Sequence, residues 1–282
     1  MTDLLLAMRP KQWIKNLLVF AVPLAAGKVA DAQVMTAAVM AFGVLTLAAA
    51  AVYLVNDVRD VEKDRLHPTK SARPIAAGKV SPRNALGAAA LFSFAALAIP
   101  AVLGEWGLLA IVVAYVVLQA GYQAGLRDVV LLDIVIVAAG FVLRAVAGGV
   151  TSEVLVSNWF LMVTGASALF MVSAKRFGEL VTHGRSMRQS LDNYTESYLR
   201  TIWTSSMFAA VVFYALWAVD LGSNRDDHFA VLSIVPFSLI MLRYAFHADR
   251  GAAEAPETIV LADRVLQLMA ISWVGLFLLQ VA

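Results

Sequence analysis

The chain has 282 residues, 61% of them hydrophobic and 15% charged, with a formal net charge of +2. That composition lies far outside soluble globular norms and reads as an integral membrane protein. The basic residues sit in particular loops rather than along a stripe, which gives no reason to invoke a nucleic-acid partner. The absence of cysteine excludes disulfides, thiolate metal sites and a cysteine nucleophile, and four scattered histidines lack the spacing of a zinc site.

The N-terminal segment MRPKQWIKN places Arg9, Lys11 and Lys15 ahead of an apolar run with no small-residue cleavage site, so it is expected to remain as an anchor. Lys11 and Lys15 lie one helical turn apart beside Trp13, the usual make-up of a positive-inside anchor with an interfacial aromatic. Lys15, nearer the membrane, is also a candidate ligand for a phosphate. Segments of about 20 residues, long enough to cross a bilayer, fall at 13–30, 33–56, 84–104, 107–126, 129–149, 156–176, 199–220, 228–247 and 261–281. Their continuous apolar character predicts helices rather than a barrel. The expected architecture is therefore an all-α bundle of nine transmembrane helices forming a single domain over 1–282.

Nineteen of the twenty-two Lys and Arg residues fall before the first span or in every second loop after it, whereas the opposite loops hold only Lys28 and Arg225. The positive-inside rule then places the N-terminus in the cytoplasm and the C-terminus outside.

The densest polar stretch is 53–83, YLVNDVRDVEKDRLHPTKSARPIAAGKVSPR, at the cytoplasmic end of the second span. On an α-helix Asp57, Asp60 and Asp64 fall within roughly 60° of arc, with Asn56 and Tyr53 on the same side. Hard cations such as Mg²⁺ take oxygen ligands and typically combine one or two carboxylates with substrate phosphates. Asn56, Asp57, Asp60 and Asp64 are accordingly the candidate metal ligands. The cations that follow, including Lys70 and Arg73, suit phosphate oxygens. A charged cytoplasmic loop with helix-spaced ion pairs is the plainer reading. The acids continue directly from an apolar helix, and that favours a site.

Three later places carry candidate chemistry. In YQAGLRDVVLLDIVIVAAGFVLRAVAGG, Arg127 beside Tyr122 reads as a phosphate contact, and Asp133 and Arg144 share a helix face inside the membrane. Ionisable groups there are costly and usually functional, with a structural Asp133–Arg144 pair as the alternative. SAKRFGELVTHGR ends the sixth span with Lys175 and Arg176 side by side and Glu179 one turn beyond Lys175. Tyr194 and Tyr198, one turn apart, read as belt aromatics. Small residues at 48–51 and 147–149 predict close helix packing.

NDVRDVEKDRLHPTKSARPIAAG resembles the first Asp-rich motif of the intramembrane prenyltransferase (UbiA) superfamily. Together with MRPKQWIKN, FVLRAVAGG, FMVSAKRFGEL and ADRVLQLMA, it resembles the branch of that superfamily that transfers phosphoribose to decaprenyl phosphate. The likeness extends over nearly the whole chain. Where typical members carry a second Asp-rich motif after the sixth helix, this chain has Lys175, Arg176 and Glu179, which argues against a prenyl-diphosphate donor.

The resemblance implies a Mg²⁺-dependent enzyme of the cytoplasmic membrane with its active site facing the cytosol. Its donor would be 5-phosphoribosyl 1-diphosphate (PRPP), with the diphosphate bound through Mg²⁺ at Asn56, Asp57 and Asp60, and Asp64 outside that set. The acceptor would be a polyprenyl (decaprenyl) phosphate, its tail among membrane lipids between helices and its head at Lys175, Arg176 or Arg127. Lys70 and Arg73 would stabilise the departing diphosphate, Lys15 and Arg127 the ribose 5-phosphate, and Tyr53 or Tyr122 sugar or phosphate oxygens. The product would be a lipid precursor of cell-wall arabinan, and the chain is expected to associate as a homo-oligomer, a trimer. The competing expectations are a prenyltransferase using a prenyl diphosphate with an aromatic or other acceptor, and a transporter built on Asp133 and Arg144.

Overall fold

The computed structural model describes residues 2–184, 189–225, 228–254 and 256–281. Its regular structure among those residues is helical. The long helices are α1 (Ala32–Arg59), α2 (Pro82–Leu103), α3 (Trp106–Ala124), α4 (Leu132–Thr151), α5 (Asn158–His183), α6 (Glu196–Arg225), α7 (Ile234–Asp249) and α8 (Arg264–Val281).

Seven helical stretches among the described residues are long and apolar enough to cross a membrane, the seventh being Phe229–Asp249, and they make this a multi-pass membrane protein. The two other expected spans take different forms. The stretch expected at 13–30 contains a 3₁₀ helix, Pro10–Phe20, followed by a short α-helix, Ala21–Ala25. At about 2.0 Å rise per 3₁₀ residue and about 1.5 Å per α residue, these supply roughly 30 Å of helix, the thickness of the hydrocarbon core. The last is α8, whose 18 residues give about 27 Å at the α-helical rise.

Local chemistry sets the helix ends. The Asp31 carboxylate accepts from the amides of Gln33 (2.9 Å) and Val34 (3.3 Å) to cap α1. Ser81, followed by Pro82, caps α2 through the Asn84 amide at 3.2 Å. These side chains satisfy amides that a helix start leaves without partners. At the other end of α1 the helix stops at Arg59, and Asp60 sits at φ −93°, ψ 8° before a new turn, Val61–Arg65. The single helical face expected to carry Asp57, Asp60 and Asp64 is therefore broken at its middle residue.

The chain forms two compact units. The first comprises Met1–Leu24, Lys28–Gln123 and Leu143–Leu155. The second comprises Ala25–Gly27, Ala124–Val142 and Val156–Ala282.

In the first unit α1 and α2 pack through small residues: Ala48, Ala49, Ala50 and Ala51 are buried, as are Ala85 and Ala89. Gly148 meets the N-terminal segment so closely that a Cβ there would lie 1.8 Å from the Val19 carbonyl oxygen, a direct reason for glycine at this position. Both small-residue stretches expected to allow close packing do so.

The core of the second unit is aromatic, with Phe170, Phe177, Trp203 and Tyr214 buried along α5 and α6. At the helix break before α7, the Ser233 hydroxyl donates to the Ala230 carbonyl at 2.6 Å and is hydrogen-bonded to Tyr214 Oη at 2.7 Å. Polar groups freed by that break thus find partners, as they must in a membrane.

Candidate active site

The first unit carries an acid–arginine cluster at the end of α1. Asp57 is buried at 2% exposure. Its Oδ1 accepts from Arg9 Nη2 and, at 3.2 Å, from Arg73 Nη1. The same Arg73 nitrogen donates to Asp64 Oδ2 at 2.6 Å, so one guanidinium joins two carboxylates across the break at Asp60.

The positions of both arginines follow from the backbone. Arg9 adopts a left-handed conformation, φ 55° and ψ 65°, at the entry to the Pro10–Phe20 helix, a region sparsely populated by residues other than glycine. Its guanidinium lies 5.0 Å from the centroid of the Tyr53 ring, a cation–π contact. Arg73 begins a tight loop in which the Ala77 amide donates to the Arg73 carbonyl at 2.8 Å and Gly78 turns at φ 73°. Ile75 and Val80 pin this loop into the core beside Leu54. Upstream, His67 Nδ1 accepts from the Thr69 and Lys70 amides, each at 3.3 Å.

Asn56 Oδ1 is buried with no hydrogen-bond partner. An orphaned amide oxygen next to a buried carboxylate suits a hard cation, which takes oxygen donors. Among the described residues no three His, Cys, Asp or Glu side chains are gathered as a metal-binding group, which corrects the expectation of three convergent acids. Asp64 is instead paired with Arg73. The residues that fit Mg²⁺ are Asn56 and Asp57, leaving other coordination positions to water and substrate oxygens, the usual pattern for this ion. Asp60, Lys15, Lys70 and Tyr122 are half-buried in the same unit.

Arg144 also belongs to this unit. It is 6% exposed, donates from Nε to Asn16 Oδ1 at 2.7 Å and from Nη2 to Tyr115 Oη at 3.2 Å, and lies over the Tyr115 ring. Asn16 in turn donates to Thr46 Oγ1 at 2.9 Å. These contacts tie the N-terminal segment, α1, α3 and α4 together.

Asp133 lies in the second unit. Eleven residues of helix separate it from Arg144, about 16 Å of rise, so a direct pair is corrected: sharing a face is not sharing a depth. Asp133 is wholly buried, and its Oδ2 accepts from Arg176 Nε at 3.0 Å while its Oδ1 accepts from Tyr194 Oη at 2.7 Å. Arg176 Nη1 is also paired with Glu179 Oε2 at 2.7 Å. Tyr194 is therefore no belt aromatic. Its hydroxyl accepts from the Leu131 amide at 2.6 Å, and burial together with the bond to Asp133 pushes its phenol well above the ordinary range.

Arg176, 4% exposed, thus carries two carboxylates on its guanidinium. Lys175 is half-buried and pairs with no acid among the described residues. Arg127 lies 3.9 Å from the Asp128 carboxylate in a short 3₁₀ turn.

Sequence reasoning did not single out Arg9, Asn16, Tyr115 or the Tyr194–Asp133 bond. The signal for Arg9 was the Arg-Pro step opening a helix. For Tyr194 it was the presence of an intramembrane acid requiring partners.

The spans define the class: a multi-pass membrane protein, helical throughout the regular structure of its described residues. Residues 17–262 match the sequence model of the UbiA prenyltransferase family, and the chain belongs to that family. It is 45% identical over 280 residues to a protein of Mycobacterium tuberculosis named decaprenyl-phosphate phosphoribosyltransferase, covering 95% of this chain and 91% of that one. A protein of the same name from Corynebacterium glutamicum is 44% identical over 278 residues, covering 95% and 83%. In fold the chain resembles a UbiA homolog from Archaeoglobus fulgidus bound to GPP and Mg²⁺, with a TM-score of 0.74 over 99% of both chains at 15% identity.

Proposed function

We propose that the chain transfers 5-phosphoribose from PRPP to a polyprenyl monophosphate, decaprenyl phosphate, and releases diphosphate. The reading rests on one structural observation in particular: a buried carboxylate and an orphaned amide oxygen, Asp57 and Asn56, stand beside two guanidinium groups. Oxygen donors for a cation and bidentate donors for phosphate oxygens are together what a diphosphate leaving group needs. Identity of 44–45% across 95% of the chain to proteins named for this transfer supports the same reading.

Mg²⁺ held by Asn56 and Asp57, with Asp60 beside them, would neutralise charge developing on the departing diphosphate. Arg73 and Lys70 would donate to its outer oxygens, while Lys15 and Arg127 are the candidates for the ribose 5-phosphate. Tyr53 and Tyr122 offer hydroxyls to sugar or phosphate oxygens. Lys175, half-buried and paired with no acid among the described residues, is the candidate for the lipid phosphate, with the more deeply buried Arg176 beside it in sequence. A phosphate oxygen attacks ribose C1 as the bond to diphosphate breaks, which inverts the configuration at C1. The nucleophile is anionic near neutral pH, so positioning and charge stabilisation carry the catalysis without a strong general base.

The positive-inside distribution of Lys and Arg supports an N-terminus and reaction site on the cytoplasmic side of the cell membrane. The lipid-linked product would serve cell-wall arabinan synthesis. The second reading, transfer from a prenyl diphosphate, follows the family name and the fold. It is disfavoured because the end of α5 carries Lys175, Arg176 and a single acid, Glu179, rather than a second cluster of acids.

Membranes containing the protein, incubated with ribose-labelled PRPP, decaprenyl phosphate and Mg²⁺, are expected to move label into the lipid phase and release diphosphate. A lipid phase without label, together with turnover of a prenyl diphosphate, would establish the second reading.

A further inference from the structure

Asp57 Oδ1 is both the best-placed carboxylate oxygen for a divalent ion and the acceptor for Arg9 and Arg73. Two guanidinium groups balance the charges of Asp57 and Asp64. A divalent ion arriving alone at that oxygen meets two like charges at close range, in a setting where screening by water is reduced. A divalent ion arriving with diphosphate brings its own negative oxygens, and planar guanidinium forks match those oxygens bidentately.

We infer that Arg9 and Arg73 are exchange partners for the cation: they hold Asp57 until metal and diphosphate enter together, then turn from the carboxylate to phosphate oxygens. The inference rests on the metal-binding reading above and assigns Arg9 a role in taking the donor's diphosphate. Both side chains have room for the exchange, with 25% and 28% of their surfaces exposed against 3% for Asp57. Each keeps a second contact, the Tyr53 ring for Arg9 and Asp64 for Arg73, so neither is left without a partner as it moves. Metal and diphosphate are then coupled ligands, each raising the affinity for the other by the same factor.

The test is equilibrium dialysis of the purified full chain in detergent at buffered free Mn²⁺, counting protein-bound Mn²⁺ with and without inorganic diphosphate, for the wild type, Arg9→Gln and Arg73→Gln. In the wild type, diphosphate is expected to raise Mn²⁺ affinity about tenfold or more, within the usual range of coupling between sites. Each arginine replacement is expected to tighten binding of Mn²⁺ alone and to shrink the gain from diphosphate to less than about threefold. Equal wild-type affinity with and without diphosphate overturns the inference and leaves the metal site standing. So do folded variants whose affinity for Mn²⁺ alone is unchanged or lower. Failure to bind Mn²⁺ under either condition removes the metal reading and the inference together. Should a variant not fold, the wild-type comparison decides by itself.

Discussion

Replacing Asp57 by asparagine separates the structural and catalytic duties of that side chain. The substitution keeps the volume of a residue that is 2% exposed but removes the charge that Arg9 and Arg73 share. Breaking a buried ion pair costs about 3–5 kcal/mol where the surviving charge is trapped. Here the two arginines keep 25% and 28% of their side-chain surface, and Arg73 retains Asp64. The expected loss of stability is therefore about 1–2 kcal/mol, in line with hydrogen bonds to charged groups. For a chain of this size that lowers the melting temperature by a few degrees. Transfer of phosphoribose should fall far more, by at least about a hundredfold, the usual consequence of removing one charge-stabilising group from a reaction centre. Thermal unfolding of the purified variant, alongside transfer of ribose label from PRPP to decaprenyl phosphate, measures both. Near-normal turnover would refute the reasoning, and so would a loss of turnover no larger than the loss of folded protein.

Lys175→Ala is expected to raise the KM for decaprenyl phosphate about tenfold or more while leaving that for PRPP near its original value, as steady-state kinetics with each substrate varied will show. Tyr194→Phe removes a hydrogen bond to the buried Asp133 carboxylate and the acceptor for the Leu131 amide, and should lower stability by about 1.5–3 kcal/mol in denaturant titration. Asp133→Ala removes one of the two carboxylates on the buried Arg176 together with the acceptor for the Tyr194 hydroxyl, and should cost about 3–5 kcal/mol, read as poor recovery of folded protein. Gly148→Ala places a methyl group against the Val19 carbonyl and should cost about 1–3 kcal/mol, visible as a lowered melting temperature.

Long apolar runs were readable because a bilayer leaves few ways to satisfy a backbone, and observed helices such as Ala32–Arg59 and Pro82–Leu103 lie within three residues of the expected spans at each end. The first span was not readable in detail, since neither hydropathy nor the Arg-Pro step specifies a 3₁₀ geometry over Pro10–Phe20. At the candidate site, Asn56, Asp57 and Arg73 stood out because charge begins abruptly where an apolar helix ends. Arg9 did not, because contact between residues 48 positions apart leaves no mark in local spacing. Helical periodicity placed Asp133 and Arg144 on one face but says nothing of depth, so their actual partners, Arg176 and Tyr194 for one and Asn16 and Tyr115 for the other, came only from the fold. The two cations of Lys175-Arg176 looked equivalent in sequence, and they differ because adjacent helical residues point about 100° apart.

Cryo-electron microscopy of the full chain with PRPP and Mg²⁺, repeated with Mn²⁺ to identify the metal, tests the central claim most directly. The account predicts a metal about 2 Å from Asn56 Oδ1 and an Asp57 oxygen, bridged to the diphosphate of PRPP. Metal and PRPP bound elsewhere, with Arg9 and Arg73 still seated on Asp57, would contradict it.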